Sequence, residues 1–302
     1  MYNQIMVTLD GSKFAEAALP LAITLSRRTG AALHLVTVVE PVPAFAYEEW
    51  ASAAEEWTRE YLAKLTEDVS NRTNGKVTSS ILSGHAVDML QKEASGQQVD
   101  LVVMASHGRG AISRLWLGSV ADRFVRQADR PVLLVRPDEK ETPDLEDETA
   151  FDNLLVPLDG SELAESALAH ATEFGELFGS AYHLTRVVAY PVDLASPYLP
   201  HTAQMNQEVL EEAKERAAEH LEMQAERMRR RGLRVTTSVT VDAQAGHGIL
   251  LEAEAVDSDA IAMATHGRKG LSRALLGSTA DKVLRGTHLP LLLHRPVGQQ
   301  KS

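Results

Sequence analysis

The 302-residue sequence contains no cysteine. That excludes a disulfide, a thiolate nucleophile and a thiolate metal centre, and it fits an intracellular protein. The sequence also lacks a basic excess, since 42 acidic residues face 30 basic ones for a formal charge of -12. A field of that sign opposes nonspecific contact with DNA, RNA or anionic lipid, while leaving room for a local basic pocket. Neither nucleic acid nor a membrane is therefore expected as a partner. No apolar run approaches the roughly 20 residues needed to cross a bilayer. The opening "MYNQIMVTLDG" lacks the basic-then-apolar layout of a secretion signal, so a cytoplasmic location is expected. Several reactive signatures are missing as well. The first strand runs into "DGSKFAEA" rather than G-x-G-x-x-G, and no G-x-x-x-x-G-K-[ST] loop occurs. There is no G-x-S-x-G elbow and no pair of histidines at helical spacing for zinc. No catalytic residue and no protein metal site is assigned.

What the chain does contain is one unit written twice. "IMVTLDGSKFAEAALPLA" is answered by "LLVPLDGSELAESALAHA", with Asp10 and Asp159 standing 149 positions apart. "MASHGRGAISRLWLGSVADRFVRQ" is answered by "MATHGRKGLSRALLGSTADKVLRG", where Met104 and Met263 are 159 positions apart. The second unit has thus gained about ten residues in between. Each unit closes alike, with "RPVLLVRP" and "LPLLLHRP". The length suits two domains of about 150 residues, placed at 1–137 and 152–297. Residues 138–151 include "DEKETPDLEDETA", which is acidic, poor in large apolar groups, and expected to be an exposed linker.

Within each unit, short apolar runs alternate with helical patterns. "QIMVTL", "ALHLVTVV", "KVTSSIL", "VDLVVMAS" and "PVLLVRP" are expected strands. "FAEAALPLAITLSRRTG" has helical spacing and stops at Gly30, a C-cap residue, and Pro20 predicts a local distortion. "AVDMLQKEAS" is a further helix. Continuous apolar strands alternating with helices describe a parallel sheet covered on both faces. The segments starting "EPVPAFAYEEW" and "YPVDLASPYLP" are expected as variable excursions near the open edge of a site or a partner surface. "EVLEEAKERAAEHLEMQAERMRRRG" is an amphipathic helix with Val209, Ala213, Leu221 and Met228 on its apolar stripe.

The candidate chemistry lies in the paired loops. Ala105 and Ser106 end a strand with small side chains, Gly108 permits a sharp turn, and Gly118 and Ser119 open the helix "VADRFVRQA". Backbone N–H groups at that helix start favour an anion, with a hydroxyl from Ser119 and charge from Arg109. Ala264, Thr265, Gly267, Arg268, Gly277 and Ser278 repeat the arrangement. The bland alternative is a turn at Gly108 and a cap at Ser119 with nothing bound. Asp10 and Asp159 either accept hydrogen bonds from a polar ligand or cap the first helix, and Ser12 and Ser161 read as local caps. His107 and His266 are read as stabilising the turn rather than touching phosphate. His34 and His183 are read as structural strand residues.

"VPLDGSELAESAL", "MATHGR" and "GLSRALLGSTADKVLR", with their first-half counterparts, resemble the universal stress protein family. The resemblance spans both units, so the chain looks like a tandem two-domain member of the ATP-binding type. It implies an α/β fold of two Rossmann-like domains of the HUP (adenine nucleotide alpha hydrolase-like) type. Each would hold a five-stranded parallel sheet of order 3-2-1-4-5 with helices on both faces. In the family's nucleotide-binding branch, ATP lies across the carboxyl ends of the first and fourth strands. The implied ATP-binding set is Asp10, Val38, Ala105, Gly108, Arg109, Gly118, Ser119 and Val120. In the second unit it is Asp159, Val187, Ala264, Gly267, Arg268, Gly277, Ser278 and Thr279. Val38 and Val187 are the adenine-facing backbone positions. Magnesium would accompany the phosphates, with Asp10 or Asp159 as an indirect ligand.

Two departures from the family pattern matter. Its first glycine is Ala105 in one half and Ala264 in the other, and its usual second-strand histidine is Thr37 or Arg186. The leading expectation is a nucleotide-dependent stress-response or regulatory protein with at most slow ATP hydrolysis. The alternative is a nucleotide-free, dimeric protein-interaction module. The family also implies antiparallel pairing of last strands, joining the two halves and giving a homodimer of tandem chains, with a further protein partner in the interaction reading.

Overall fold

The computed structural model describes residues 2–40, 48–106, 117–137, 142–190, 202–265 and 276–295. The chain divides into two compact units, the first covering Met1–Ala150 and Pro290–Val297, the second Phe151–Leu289.

In the first unit the elements run β1 (Gln4–Leu9), α1 (Lys13–Glu16), α2 (Leu19–Thr29), β2 (Ala32–Val39), α3 (Glu48–Ser70), β3 (Val77–Ser83), α4 (Ala86–Gly96), β4 (Leu101–Ala105), α5 (Ser119–Gln127) and β5 (Val132–Val135). Strand β1 is parallel to β2 and β4, β2 to β3, and β4 to β5, giving the order β3-β2-β1-β4-β5. The central strands are sheathed on both faces. Ile5, Met6, Val7, Leu101, Val102 and Val103 are all fully buried, which is why their sequences run apolar without alternation.

The second unit repeats the pattern as β6 (Asn153–Pro157), α6 (Glu162–Glu165), α7 (Ala167–Glu176), β7 (Ala181–Val188), α8 (Thr202–Arg229), β8 (Arg234–Val241), α9 (Ala245–Ala255), β9 (Ala260–Ala264) and α10 (Ser278–Gly286). Strand β6 is parallel to β7 and β9, and β7 to β8. The last strand, β10 (Leu291–His294), runs antiparallel to β5, with Leu292 opposite Leu133. This is the antiparallel pairing of last strands that the family resemblance implied, and it gives β5 a partner on each edge.

The helix after the first strand is broken in both units, into α1 and α2 and into α6 and α7. Pro20 falls in the first turn of α2, where a missing N–H costs nothing. The second unit breaks at Ser166 with Ala169 in place of that proline, so proline alone is not the cause. Gly30 ends α2 in the left-handed conformation at φ 75°, its N–H donating to Ser26 O at 2.8 Å.

Helix α8 packs on β7 and β8. Its buried residues are Ala217, Leu221, Gln224, Ala225 and Met228, whereas Val209 is 53% exposed. The expected stripe is thus right at Leu221 and Met228, half-buried at Ala213, and wrong at Val209. Among the described side chains of α8, full burial begins at Ala217. Two aspartates unnoticed in the sequence pin strand starts together. Asp100 Oδ2 accepts from the N–H groups of Asn3 and Gln4 at 2.7 and 3.0 Å. Asp259 Oδ2 does the same for Asp152 and Asn153 at 2.7 and 2.8 Å.

Candidate functional site

The construction starts from the "DGS" turns. Gly11 and Gly160 adopt φ 80° and 81°, a conformation glycine takes without steric cost. That turn brings the next residue back onto the aspartate. Ser12 donates from N and Oγ to Asp10 Oδ1 at 2.9 and 2.6 Å. Ser161 does so to Asp159 Oδ1 at 2.9 and 2.6 Å. The serines in turn cap α1 and α6, accepting from Ala15 N at 3.2 Å and Ala164 N at 3.1 Å. Capping therefore falls to the serines, and each aspartate orients its serine at the strand end.

The second wall is the junction between the fourth strand and the helix after it. Gly118 N donates to Ser106 O at 2.7 Å, and Gly277 N to Thr265 O at 2.9 Å. Each bond ties the strand end to the helix start. Gly118 and Gly277 are themselves the N-caps, so Ser119 and Ser278 are first helical residues rather than caps. Among the described residues neither helix receives a side-chain cap bond, so within that set its first-turn amides leave the helix field unanswered by a side chain. Ala105 and Ala264 lie in strands with ordinary negative φ, and alanine at those positions costs no backbone strain. Gly108, Arg109, His107, Gly267, Arg268 and His266 lie outside the described residues.

In the first unit these parts surround a cavity of about 810 Å³ at the carboxyl ends of β1, β2 and β4. A volume of that size is in the range of small-molecule sites. Asp10, Val38, Ala105, Gly118, Ser119 and Val120 all line it, so the methyl group of Ala105 does not close it. Among the lining residues that the sequence did not announce are Glu40, Trp57, Ala86 and Leu90. Trp57 and Thr58 come from α3, Ala86 and Leu90 from α4. The signal for Trp57 was present, since Trp57 and Tyr61 are aromatic at helical spacing. Thr37 also lines the cavity, is 4% exposed, and buries its hydroxyl oxygen without a hydrogen-bond partner among the described residues. A buried hydroxyl so placed is costly unless something bonds it.

In the second unit, Asp159, Val187, Ala264, Gly277, Ser278 and Thr279 occupy the matching positions at strand ends and helix start. Gly248 brings α9 close to Val187; a Cβ there would sit 2.9 Å from Val187 Cγ1. Arg186 is half-buried in β7, opposite Val239.

The strand histidines belong to networks joining β2 to α4 and β7 to α9, buried at His34 and half-buried at His183. His34 is 2% exposed, with Nε2 donating to Glu93 Oε1 at 2.7 Å and Nδ1 2.8 Å from Thr78 Oγ1. His183 lies 2.9 Å from Glu252 Oε1 and 2.8 Å from Thr236 Oγ1. Burial works to raise the Glu252 pKa, but hydrogen bonds from Ser238, Thr240 and His183 outweigh it and hold the carboxyl below its usual range. Among the described residues no group of three or more His, Asp or Glu side chains could hold a metal ion. No helix among them is long and apolar enough to cross a membrane.

The family described as the universal stress protein family matches residues 1–136 and 150–295. The chain belongs to the universal stress protein family. It is a tandem member, carrying the family domain twice. A universal stress protein of Mycobacterium tuberculosis is 29% identical over 302 residues, covering 96% of each chain. One from Thermus aquaticus is 32% identical over 137 residues, 45% of this chain and all of that one. A solved universal stress protein from Archaeoglobus fulgidus superposes with a TM-score of 0.73 at 18% identity, covering 98% of this chain and 99% of that one. That last likeness concerns the Rossmann-like, largely parallel α/β fold alone.

Proposed function

We propose that this universal stress protein binds ATP and acts as a nucleotide-dependent stress-response or regulatory protein, with at most slow hydrolysis. The observation that carries the reading is the first unit's cavity. It gathers a strand-end carboxylate (Asp10), the β2 end (Thr37 and Val38), a small-residue strand end (Ala105) and the amides of a helix start without a side-chain cap. Open α/β sheets bind ligands at that end of their strands. A triphosphate would lie against the N–H groups of Gly118, Ser119 and Val120, with Arg109 and Gly108 completing the cradle. The base would lie toward Val38. Thr37 supplies a buried polar atom that a ligand can satisfy. The corresponding proposal for the second unit uses Asp159, Val187, Ala264, Gly267, Arg268, Gly277, Ser278 and Thr279.

Asp10 commits one oxygen to Ser12, so on this reading magnesium arrives with the phosphates and meets Asp10 or Asp159 only indirectly. The HUP-type assignment, the functional domains 1–137 and 152–297 joined by the 138–151 linker, and a cytoplasmic location belong to the same proposal. Binding in place of rapid turnover is read from the described lining, in which the carboxylates are Asp10, bonded to Ser12, and Glu40, with no attacking group assigned beside either.

The nucleotide-free interaction reading drew on Ala105, Ala264 and unpaired last strands. Ala105 leaves the cavity open, and β5 has partners on both edges within the first unit. A homodimer built on that edge of β5 is therefore not part of the proposal, and a protein partner would be met elsewhere. The test is to purify the protein without added nucleotide, denature it, and identify released small molecules, then to titrate ATP by calorimetry. Released adenine nucleotide, or a saturable heat of ATP binding, supports the reading. A clean protein silent at millimolar ATP overturns it and favours the interaction module.

A further inference from the structure

The two units carry α3 and α8 in the same register on their sheets. Thr58, Leu62, Leu65 and Val69 are the buried residues of α3, and Ala217, Leu221, Gln224 and Met228 recur in α8 at the same spacing. A contact confirms the register. Tyr61 donates its hydroxyl to Glu16 Oε1 at 2.9 Å, and His220 Nε2 meets the matching Glu165 Oε1 at 2.7 Å. Trp57 of the first unit therefore corresponds to Arg216 of the second.

These two residues present different chemistry. Trp57 lines the cavity, is 49% exposed, and stacks on Tyr61 with ring centroids 5.3 Å apart and planes 6° from parallel. The Tyr61–Glu16 bond anchors that stack to α1, the helix capped by Ser12 of the "DGS" turn. The indole is thus fixed relative to Asp10 by a short chain of contacts. Arg216, by contrast, has a side chain 70% exposed and bridged to Glu212 one turn earlier. The second unit keeps the anchor and loses the platform.

We propose that Trp57 is the base-stacking residue of the first unit, and that the two units are unequal ligand sites. The first selects a ligand with a planar aromatic base; the second does not discriminate in that way. The inference rests on the nucleotide reading above and adds the residue that would read the base. An aromatic side chain suits the task because every nucleobase has a π-face to stack on it, and such a contact is typically worth about tenfold or more in affinity.

The sequence provides its own reporter, since its three tryptophans, Trp50, Trp57 and Trp116, all fall in the first repeat. The experiment titrates the full chain with ATP and, separately, with inorganic tripolyphosphate, following heat and tryptophan fluorescence. Wild type is expected to quench on ATP addition. Trp57→Ala should lose about tenfold in ATP affinity at the quenching site with tripolyphosphate affinity unchanged, and Trp57→Phe should stay within about threefold of wild type. Trp57→Ala binding ATP like wild type would overturn the stacking role while leaving nucleotide binding intact. Equal loss for ATP and tripolyphosphate would also overturn it, because the residue would then be shaping the cavity generally. If wild type binds no ATP, the nucleotide reading fails first and this inference with it.

Discussion

Thr37→Val separates the stability of the first unit from its ligand affinity. The Thr37 side chain is 4% exposed, and its Oγ has no hydrogen-bond partner among the described residues. Valine has nearly the same shape and an equal preference for strands, so β2 should accept it without repacking. Removing a buried, unbonded hydroxyl recovers its desolvation cost, about 1–2 kcal/mol. For a unit of this size that raises the thermal midpoint by roughly 3–6 °C. The ligand-bound protein should respond the other way. Saturating ATP at about 100 times its Kd would add about 2.7 kcal/mol to wild type. A bond from Thr37 to the ligand, worth about 1 kcal/mol, would be absent in the variant, weakening Kd roughly fivefold. Paired melts with and without ATP would therefore show a more stable apo-protein with a smaller ligand-induced shift. An apo midpoint that falls in Thr37→Val would refute the reasoning, since it would mean that the hydroxyl already has a partner.

Gly118→Val keeps a permitted backbone, since Gly118 sits at φ -59° and ψ 144°, yet places a side chain against the phosphate cradle. ATP affinity should fall by more than about tenfold in calorimetry, with the melting midpoint little changed; unaltered affinity would contradict the proposed site. Gly175→Ala adds a methyl that would overlap the Tyr182 hydroxyl and come within 2.7 Å of Leu154 Cδ1. Although alanine favours helix by about 1 kcal/mol, overpacking should win and destabilise the second unit by about 1–3 kcal/mol in urea melts. Burial of Tyr182, whose hydroxyl donates to Thr172 O at 3.1 Å, pushes its phenol up from 10.0 to about 12. The folded state thus favours the neutral phenol, and the stability it lends is complete below pH 10 and lost as pH rises from 10 toward 12. The loss totals about 2–3 kcal/mol. Tyr182→Phe should flatten that alkaline slope in denaturant melts between pH 9 and 11.5, and parallel slopes would dismiss the effect.

Much of the architecture was legible because its causes are local. Runs such as "IMV" and "LVV" are apolar without alternation because parallel strands covered on both faces bury every residue. Gly30 was readable as a helix end because it stops α2 in the left-handed conformation, which glycine adopts without steric cost. The "DGS" turns were visible as site elements, but the division of labour between aspartate and serine was not, since either residue type can cap. Features joined over long sequence distances stayed hidden. Asp100 reaches Asn3 and Gln4 across 97 and 96 positions, and nothing near Asp100 announces it. Thr37, Trp57, Ala86 and Leu90 meet only because β2, α3 and α4 converge on one cavity. The antiparallel pairing of β10 with β5 had no local mark either; the family resemblance implied it, not the residues of the strand itself.

The repeat itself shows which parts of the frame constrain one another. The turn bonds recur at 2.9 and 2.6 Å in both units, and the strand-to-helix bond recurs at 2.7 and 2.9 Å. The histidine–glutamate pairs recur as His34–Glu93 and His183–Glu252. These contacts share one property: each joins two elements, so losing one would displace a wall of the site. Several positions that line the first unit's cavity differ in the second, Thr8 against Pro157, Thr37 against Arg186, Glu40 against Ala189 and Trp57 against Arg216. They replace polar, acidic and aromatic groups with apolar or cationic ones. A frame held constant preserves where backbone amides point, whereas a changed lining alters what those amides can hold. On the proposed reading, duplication has therefore produced two cradles of one geometry with different selectivity. The sharpest expression of that difference is a binding isotherm for ATP with two unequal steps, of which only the one reported by tryptophan is sensitive to Trp57→Ala.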